Sequence, residues 1–559
     1  MSTVALPSNY QSDLTPEYLH QLAARWGISI QPGDEEESYL LLLQSAEAVH
    51  RQIANSPDYL HPGLSPTPSI SPRTFWKPSP KANPLNAWSH RCDIRAARPA
   101  STLLHGRKVA IKDHISVAGL PTTAGLSASF FTHHSNEYPL SPIDAPVVRR
   151  VLEASGSIAG TATCEMYSAS PLSFSAATGP VHNPWAHGFS AGGSSSGCGS
   201  LMGMNAVPVP PSPPSYGDRA DLAIGGDQGG SVRIPASYNG VYGLKPTHGL
   251  IPYTGALSLS PMIDHLGPMA SSLADIAVLL QVLAGYDGVD ARMTPETPLR
   301  HNVKDYPALL AQPSQSQLPL RVALIRESFE VAGLSSQVRD TVRNAAYTLF
   351  PSHGEAVVSE ISIPMHAEGP AIWTAATRTS MGEYACAQST PGYLSYGVPQ
   401  LGTLRWPLDS DMYATATAQN PSVANLAFCG AYLSETFPGV MGKAHRKVFE
   451  LRAAYDRALE EYDVLVTPTA PTVAMRNLEP GGSGRVMERV RAAVGVVANT
   501  CPFNVSGHPA LSVPCGFGVG DAGARLPVGM QIVGRRWEDE AVLRAAAVFE
   551  RGRVVGSRL

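Results

Sequence analysis

The chain has 559 residues and a formal net charge of −4, so it lacks the excess of basic residues that is typical of nucleic-acid binding. Hydrophobic residues make up 43% of the chain, which is enough for a large core and excludes a wholly disordered protein. No apolar run is long enough to span a membrane, the N-terminus lacks a signal-peptide pattern, and the 7 cysteines form no C-x-x-C pair. These features predict a cytoplasmic protein.

The predicted elements begin with two N-terminal helices. The first covers residues 15–27, with Thr15 as its cap, and the second covers residues 34–54. Eight prolines then fall between Pro57 and Pro84, where neither a helix nor a central strand fits. This pattern predicts a small helical unit followed by an extended arm.

The rest of the chain alternates short apolar strands with helices, which predicts an α/β fold. The strands are predicted at residues 108–111, 157–163 and 463–467, and the helices at residues 144–156 and 272–284. Residues 295–320 are interpreted as a polar loop, and the five prolines within residues 208–214 as a surface insertion. We expect the helical unit and its arm to cover residues 1–85, and the main domain to cover residues 86–559.

Three stretches of the main domain carry residues that suit chemistry. Residues 109–114 read VAIKDH and put Lys112 at the end of an apolar strand, where an ammonium is costly to bury unless it reaches solvent. Residues 192–199 read GGSSSGCG, which fits a plain loop or a phosphate-binding loop, although not a Walker A motif. Residues 225–235 read GGDQGGSVRIP, whose glycines suit either a tight turn or an oxyanion hole beside a serine.

Two other patterns are interpreted as coincidental. Residues 188–192 read GFSAG and match the nucleophile elbow of α/β-hydrolases, but that elbow must follow a strand, and residues 180–185 do not resemble one. Four histidines lack the spacing of zinc ligands and are interpreted as loop residues: His133, His134, His182 and His187. The sequence therefore predicts no metal site.

Taken together and in this order, the three stretches resemble the amidase signature family. The resemblance runs from about residue 85 to about residue 550. It extends to GLKPT at 243–247, DHLGP at 264–268, TPT at 467–469, FNVSGHPA at 503–510 and PVGMQIVGR at 527–535. The runs at 181–184, 225–231 and 245–250 look most like the nitrile-hydratase-linked, enantioselective bacterial amidases. The resemblance implies a mixed β-sheet core covered by helices, and an N-terminal helical unit that helps to form a homodimer.

The resemblance also implies the site residues, a Ser–cis-Ser–Lys triad with no metal or organic cofactor. Ser231 corresponds to the nucleophile, Ser194 to the bridging cis-serine and Lys112 to the base. The implied oxyanion hole consists of backbone N–H groups of Gln228, Gly229, Gly230 and Ser231, with Asp227 and Arg233 as loop supports or substrate contacts. Burial lowers the pKa of a lysine by disfavouring its charge, so Lys112 could act as a base without a neighbouring acid.

The chain departs from the family pattern at a few positions. The separation of 37 residues between Ser194 and Ser231 is longer than usual, and the Pro-rich insertion near residues 208–220 accounts for the excess. His114 stands where the family usually has Asn, and Cys198 stands where a smaller residue or serine is usual. We expect residues 370–440 to form most of the substrate pocket. The resemblance is weakest there, so it does not identify the substrate.

The sequence therefore predicts an amidase that cleaves the C–N bond of small aliphatic or aromatic amides through a serine acyl-enzyme. The alternatives are a carbamate or aryl-acylamide hydrolase on the same triad, an amidotransferase subunit that passes ammonia to a partner, and an inactive binding protein. The C-terminal residues 557–559 read SRL, which resembles a peroxisomal targeting signal and would matter only in a eukaryote.

Overall fold

The computed structural model describes residues 11–131, 137–208, 216–312, 318–382, 396–398, 409–478 and 486–556. The chain divides into two compact units, Met1–Pro62 and Gly63–Leu559. The expected start of the main domain at residue 86 stays a prediction. Most of the insertion predicted at residues 208–214 lies outside the described residues, which end at 208 and resume at 216. The C-terminal tripeptide at residues 557–559 also lies outside them. The expected location of the protein, cytoplasmic or peroxisomal, therefore stays a prediction.

The first unit contains the two predicted helices, α1 (Pro16–Ala24) and α2 (Asp34–Ala54). Thr15 caps α1, because its Oγ1 accepts a hydrogen bond from the N–H of Tyr18 at 3.3 Å. Leu19 and Ala23 are buried on the inner face of this helix. Both N-terminal helices are therefore confirmed.

The second unit is built on a large mixed sheet, so the predicted α/β fold with a mixed β-sheet core is confirmed. Twelve strands pair in the order β1-β2-β4-β3-β7-β9-β8-β13-β14-β12-β10-β11, and β5 and β6 form a separate pair. The strands in the described residues are β1 (Phe75–Trp76), β2 (Trp88–Arg95), β3 (Lys108–Lys112), β4 (Ser157–Ala162), β5 (His182–Asn183), β6 (Ala186–Ser190), β7 (Leu222–Gly226), β8 (Tyr242–Lys245), β9 (Leu266–Ala270), β10 (Leu320–Ile325), β11 (Ala356–Ile361), β12 (Val464–Pro468), β13 (Ala510–Val519) and β14 (Arg525–Val533).

Helices cover the sheet. In the described residues they are α3 (Pro146–Glu153), α4 (Ser196–Ala206), α5 (Arg233–Asn239), α6 (Leu273–Leu283), α7 (Tyr306–Ala311), α8 (Ser336–Leu349), α9 (Met365–Met381), α10 (Ser410–Gln419), α11 (Pro421–Thr436), α12 (Val440–Glu461), α13 (Val486–Ala493), α14 (Cys501–Ser506) and α15 (Asp539–Gly556). Helix α7 lies inside the predicted loop 295–320, so that prediction was wrong in part. The side chain of Asp305 caps this helix by accepting a hydrogen bond from Ala308 N at 3.0 Å.

The strand that carries the predicted base lies inside the sheet. Strand β3 pairs in parallel with β4 on one side and with β7 on the other. Parallel strands of this kind are covered on both faces, and the residues of β4 and β7 are all buried. The ends of β3 and β7, with the loops that follow them, therefore lie in the protein interior. Among the described helices, none is both long and apolar enough to cross a lipid bilayer.

Candidate active site

Lys112 is the last residue of β3, and its side chain is fully buried. Its Nζ donates hydrogen bonds to Ser194 Oγ at 2.8 Å and to the carbonyl oxygen of Gly226 at 3.3 Å. Burial between β4 and β7 removes water from the ammonium and lowers the pKa of Lys112 to about 8. A lysine with this pKa is neutral often enough near neutral pH to accept a proton.

Ser194 lies in the loop between β6 and α4, and it is fully buried beside Lys112. The peptide bond between Gly193 and Ser194 is cis. The carbonyl oxygen of Ser194 accepts a hydrogen bond from the N–H of Glu165 at 3.1 Å. A Cβ atom on Gly193 would lie 2.4 Å from the carbonyl oxygen of Ser170, so this position has no room for a larger residue. Close backbone packing therefore fixes the position of Ser194.

A buried carboxyl group lies against the same loop. Glu165 accepts hydrogen bonds from Ser196 Oγ and from Ser175 Oγ, each at 2.7 Å. Burial raises the pKa of Glu165 to about 7. When Glu165 is ionised, its negative charge favours the charged form of Lys112. Protonation of these two groups is therefore coupled.

Ser231 is half-buried and lies just before α5. Its carbonyl oxygen accepts a hydrogen bond from the N–H of Ser195 at 3.2 Å, and Ser195 Oγ donates to the carbonyl oxygen of Gly226 at 3.1 Å. These bonds join the Ser231 loop to the Ser194 loop and to the end of β7. The structure thus links Lys112 directly to Ser194, whereas Ser231 Oγ has no hydrogen-bond partner among the described residues.

The loop at residues 227–231, called the donor loop below, offers unpaired backbone donors. The N–H groups of Gln228, Gly229 and Ser231 have no acceptor within the part of the chain that the structure describes. The N–H of Gly230, which the family resemblance also assigns to an oxyanion hole, instead donates to Asp227 Oδ1 at 2.7 Å. Since buried N–H groups are normally paired, three unpaired donors in one loop could stabilise a negative charge.

An ion pair between Asp227 and Arg233, both fully buried, holds this loop. Arg233 donates to Asp227 through Nη2 at 2.8 Å and through Nε at 2.9 Å, and Val232 N donates to the same carboxylate at 3.1 Å. Burial alone would raise the pKa of Asp227, but the Arg233 guanidinium holds it well below its usual range. The pair therefore stays ionised and fixes the loop at both ends.

Residues from the C-terminal part of the chain complete this ion pair. Arg233 Nη1 donates to Gln531 Oε1 and Arg233 Nη2 donates to Asn504 Oδ1, both at 2.7 Å. Asn504 Nδ2 also donates to the carbonyl oxygen of Asp227 at 2.9 Å. Sequence reasoning gave Asn504 and Gln531 no role, although both lie in stretches that resemble the family. The signal that could have found them is an amide side chain directly flanked by apolar residues, Phe503 and Val505 for Asn504 and Met530 and Ile532 for Gln531.

Two further residues anchor the carbonyl groups of the loop, and sequence reasoning missed both. Thr500 Oγ1 donates to the carbonyl oxygen of Gly229 at 2.6 Å, and Trp373 Nε1 donates to that of Gln228 at 3.0 Å. Gly230 has a φ of +135°, and a Cβ atom there would lie 2.3 Å from Thr500 Oγ1, so the position requires glycine. No local pattern marks Thr500 or Trp373, because only folding brings them to the loop.

The side chain of Gln228 joins a separate buried network. Its Nε2 donates to Tyr253 Oη, and that hydroxyl donates to the carbonyl oxygen of Leu257 at 2.7 Å. His114 Nε2 lies 3.4 Å from the same hydroxyl, and burial holds the pKa of His114 well below its ordinary value. His114, which stands where the family usually has Asn, is therefore a neutral imidazole beside the Tyr253 hydroxyl that accepts a hydrogen bond from Gln228.

The patterns interpreted as coincidental have structural roles. Ser190, the serine of the GFSAG run, is buried, and its Oγ accepts a hydrogen bond from Gly192 N at 3.0 Å. The rings of His182 and His187 stack with their centroids 3.9 Å apart, and His133 and His134 lie outside the described residues. In the described ranges, no group of three or more His, Cys, Asp or Glu residues could hold a metal ion.

Comparison with known proteins gives a consistent result. The family model described as Amidase matches residues 85–543. The chain is 37% identical over 494 residues to an enantioselective amidase of Rhodococcus rhodochrous, with 86% of each chain covered. It is 32% identical over 452 residues to a glutamyl-tRNA(Gln) amidotransferase subunit of Deinococcus deserti, covering 80% of this chain and 83% of the relative.

The solved structures agree on the fold. A bacterial aryl acylamidase of the amidase signature enzymes superposes with a TM-score of 0.62 at 21% identity, covering 81% of this chain and 83% of the other. At that identity the likeness shows the fold alone. The large mixed sheet with its covering helices is therefore shared with this group of enzymes.

The anchor at Thr500 can be tested by removing its hydroxyl. We expect Thr500→Val to lower kcat for benzamide hydrolysis about fivefold, because a carbonyl of the donor loop loses its hydrogen bond, worth about 1 kcal/mol. Thr500→Ser keeps the hydroxyl and should stay within about twofold of the wild type. The measurement is steady-state kinetics on proteins with matched circular-dichroism spectra, and an unchanged kcat in Thr500→Val would contradict the expectation.

Proposed function

The chain belongs to the amidase signature family, and we propose that it hydrolyses the C–N bond of small aliphatic or aromatic amides to a carboxylic acid and ammonia. The observation that carries the proposal is the 2.8 Å hydrogen bond between the buried Nζ of Lys112 and Ser194 Oγ. A buried lysine paired with a serine is suited to activating a hydroxyl nucleophile. In this proposal Ser231 is the nucleophile, Ser194 transfers the proton and Lys112 is the base.

The proposed reaction proceeds through an acyl-enzyme. Ser231 Oγ attacks the amide carbonyl carbon while its proton passes to Ser194 Oγ, and the hydroxyl proton of Ser194 passes to the neutral Nζ of Lys112. Collapse of the tetrahedral intermediate breaks the C–N bond, and the proton returns through Ser194 to the leaving nitrogen. Water then attacks the acyl-enzyme by the same proton path, which releases the acid and restores Ser231.

The donor loop is proposed as the oxyanion hole. The N–H groups of Gln228, Gly229 and Ser231 are the candidates, because the N–H of Gly230 is already bonded to Asp227. Donors that are oriented before the reaction stabilise the charge that develops on the carbonyl oxygen at little reorganisation cost. Asp227 and Arg233 are proposed as positioning residues rather than substrate contacts, since both are fully buried and bonded to the loop and its supports.

The relatives are consistent with several reactions that the same proposed residues would catalyse. The similarity to the enantioselective amidase favours a hydrolase that acts on its own. The similarity to a glutamyl-tRNA(Gln) amidotransferase subunit favours the second candidate, a protein that passes ammonia to a partner. A carbamate or aryl-acylamide hydrolase would use the same proton path with a different leaving group. Release of ammonia by the isolated chain separates the first two candidates.

We also propose that the protein is a homodimer that uses helix α2. Tyr39, Leu42 and Ile53 follow the helical repeat along one face of α2, and each is more than two-fifths exposed. Exposed apolar residues along one face of a helix are typical of protein–protein contacts.

The proposed reaction predicts ammonium release by the purified protein alone from propionamide or benzamide, without ATP or a partner. Ser231→Ala and Lys112→Met should each lose about 10³-fold or more in kcat, because members of a catalytic triad act as a unit. An enzymatic ammonium assay measures the release. Retention of wild-type rates in both variants would contradict the assignment, whereas a wild type that is inactive on both amides would favour the carbamate, anilide or partner-dependent alternatives.

The proposed base predicts a pH dependence. Only neutral Lys112 can accept the proton, so kcat/KM should rise with pH, about tenfold per unit, and level off above about pH 8, the pKa to which burial lowers this group. Glu165→Gln removes a negative charge that favours charged Lys112, so the midpoint should move to lower pH. A pH–rate profile of both proteins tests this, and a midpoint that the substitution leaves in place would argue against Lys112.

The proposed dimer predicts that charge on the apolar face of α2 separates the subunits. Leu42→Glu combined with Ile53→Glu should change the sedimentation mass from twice 59.1 kDa to 59.1 kDa. Gln52→Glu adds one negative charge to the same helix, about 100° around its axis from Ile53, and should leave the dimer intact. Analytical ultracentrifugation at micromolar concentration measures the mass, and a dimer that persists in the double variant would exclude this surface.

A further inference from the structure

A cavity lies beside Asp113, the residue after Lys112, and Lys112, Ser194 and Ser231 do not line it. It has a volume of about 480 Å³, within the range of small-molecule pockets. Ser89 and His90 of β2, the Asp113–Thr123 pair, and Cys164 form its inner part. Ser194, Ser231 and the donor loop do not line it, so it is not the pocket in which Ser231 would act.

The inner end of the cavity carries an acidic group. Asp113 is 1% exposed and accepts hydrogen bonds from Ser89 Oγ at 2.7 Å, from Thr123 N at 3.1 Å and from Thr123 Oγ1. A carboxylate has about four acceptor positions, so one position stays open to a further donor. Burial raises the pKa of Asp113 to about 6, which leaves the carboxylate ionised above that pH.

This carboxylate lacks a positive partner. Among the described residues, no Lys, Arg or His side chain forms an ion pair with Asp113, although buried charges in proteins are normally paired. Lys112, its neighbour in sequence, bonds to Ser194 and Gly226 instead. A cation that enters the cavity would therefore meet an unpaired negative charge.

Aromatic rings line the same cavity as the carboxylate. The rings of Phe75 and His90 meet edge to face with centroids 5.6 Å apart, and those of His90 and Tyr138 do so at 6.2 Å. Burial lowers the pKa of His90 to about 4, so its ring is neutral at pH 7. Aromatic faces attract cations, and the exposed charged residues that line the cavity are one cation, Lys77, and one anion, Glu137.

We propose that this cavity binds a primary organic ammonium, with its nitrogen donating to the open oxygen of Asp113 and its apolar group against the aromatic wall. A bare metal ion fits less well, because the described residues here do not supply three metal-ligating side chains. An anion is disfavoured by the carboxylate, and a neutral molecule leaves the charge unpaired. The proposed ammonium site does not include the proposed catalytic residues. It therefore gives the protein a binding function in addition to the proposed catalysis.

Benzylammonium chloride is the probe, with benzyl alcohol as its uncharged counterpart, and isothermal titration calorimetry on the full chain measures binding. We expect benzylammonium to bind at least tenfold more tightly than benzyl alcohol. Asp113→Asn keeps the size of the side chain but removes the charge, and it should weaken benzylammonium binding at least tenfold. Asp93→Asn removes an exposed carboxylate from the same strand β2 that lines the cavity, and it should change nothing.

A second variant keeps the test decisive if Asp113→Asn does not fold. Phe75→Ala removes part of the aromatic wall from a position already 37% exposed, and it should weaken benzylammonium binding about three- to tenfold. Wild-type affinity in the folded variants would overturn the proposal, as would equal affinity for the alcohol or no binding at all. Ser231→Ala should bind benzylammonium as the wild type does, so a loss there would move the ligand to the proposed catalytic site and overturn the proposal as well.

Discussion

The buried ion pair between Asp227 and Arg233 is the interaction on which the candidate active site depends. Its two members bracket the loop that presents the unpaired N–H groups and Ser231, and Asp227 itself accepts the N–H of Gly230. Breaking such a pair leaves an uncompensated buried charge, which costs about 3–5 kcal/mol. The remaining donors of the guanidinium are accepted by the side-chain oxygens of Asn504 and Gln531 and by the carbonyl oxygen of Thr500, so the loop keeps one geometry.

The second constraint is the burial of Lys112 inside the sheet. Strands on both sides of β3 exclude water, and the loss of hydration lowers the pKa of the ammonium. The same burial raises the pKa of Glu165, so the interior holds an acid and a base whose charges depend on each other. The interior of the sheet therefore does more than support the fold. It lowers the pKa of Lys112 and so favours the neutral amine that the proposed reaction needs.

Local sequence patterns were sufficient for the elements near the site. The apolar run ending in Lys112 is a strand, and the cap at Thr15 starts a helix where it was predicted. Helix α7 was missed, because its six residues make fewer than two helical turns, which is too short to show a period of apolar and polar positions. Local patterns therefore identify long or buried elements and fail on short ones that a single cap stabilises.

The sequence by itself determined the family and the fold class, because three short stretches in this order resemble the amidase signature family, and that resemblance supplied the roles proposed for Lys112, Ser194 and Ser231. Only the tertiary structure decided what holds these motifs together. Thr500 contacts Gly229 across 271 positions of the chain, and Gln531 contacts Arg233 across 298. Such contacts have no local signature, because chain entropy opposes them until the packed sheet brings the segments together.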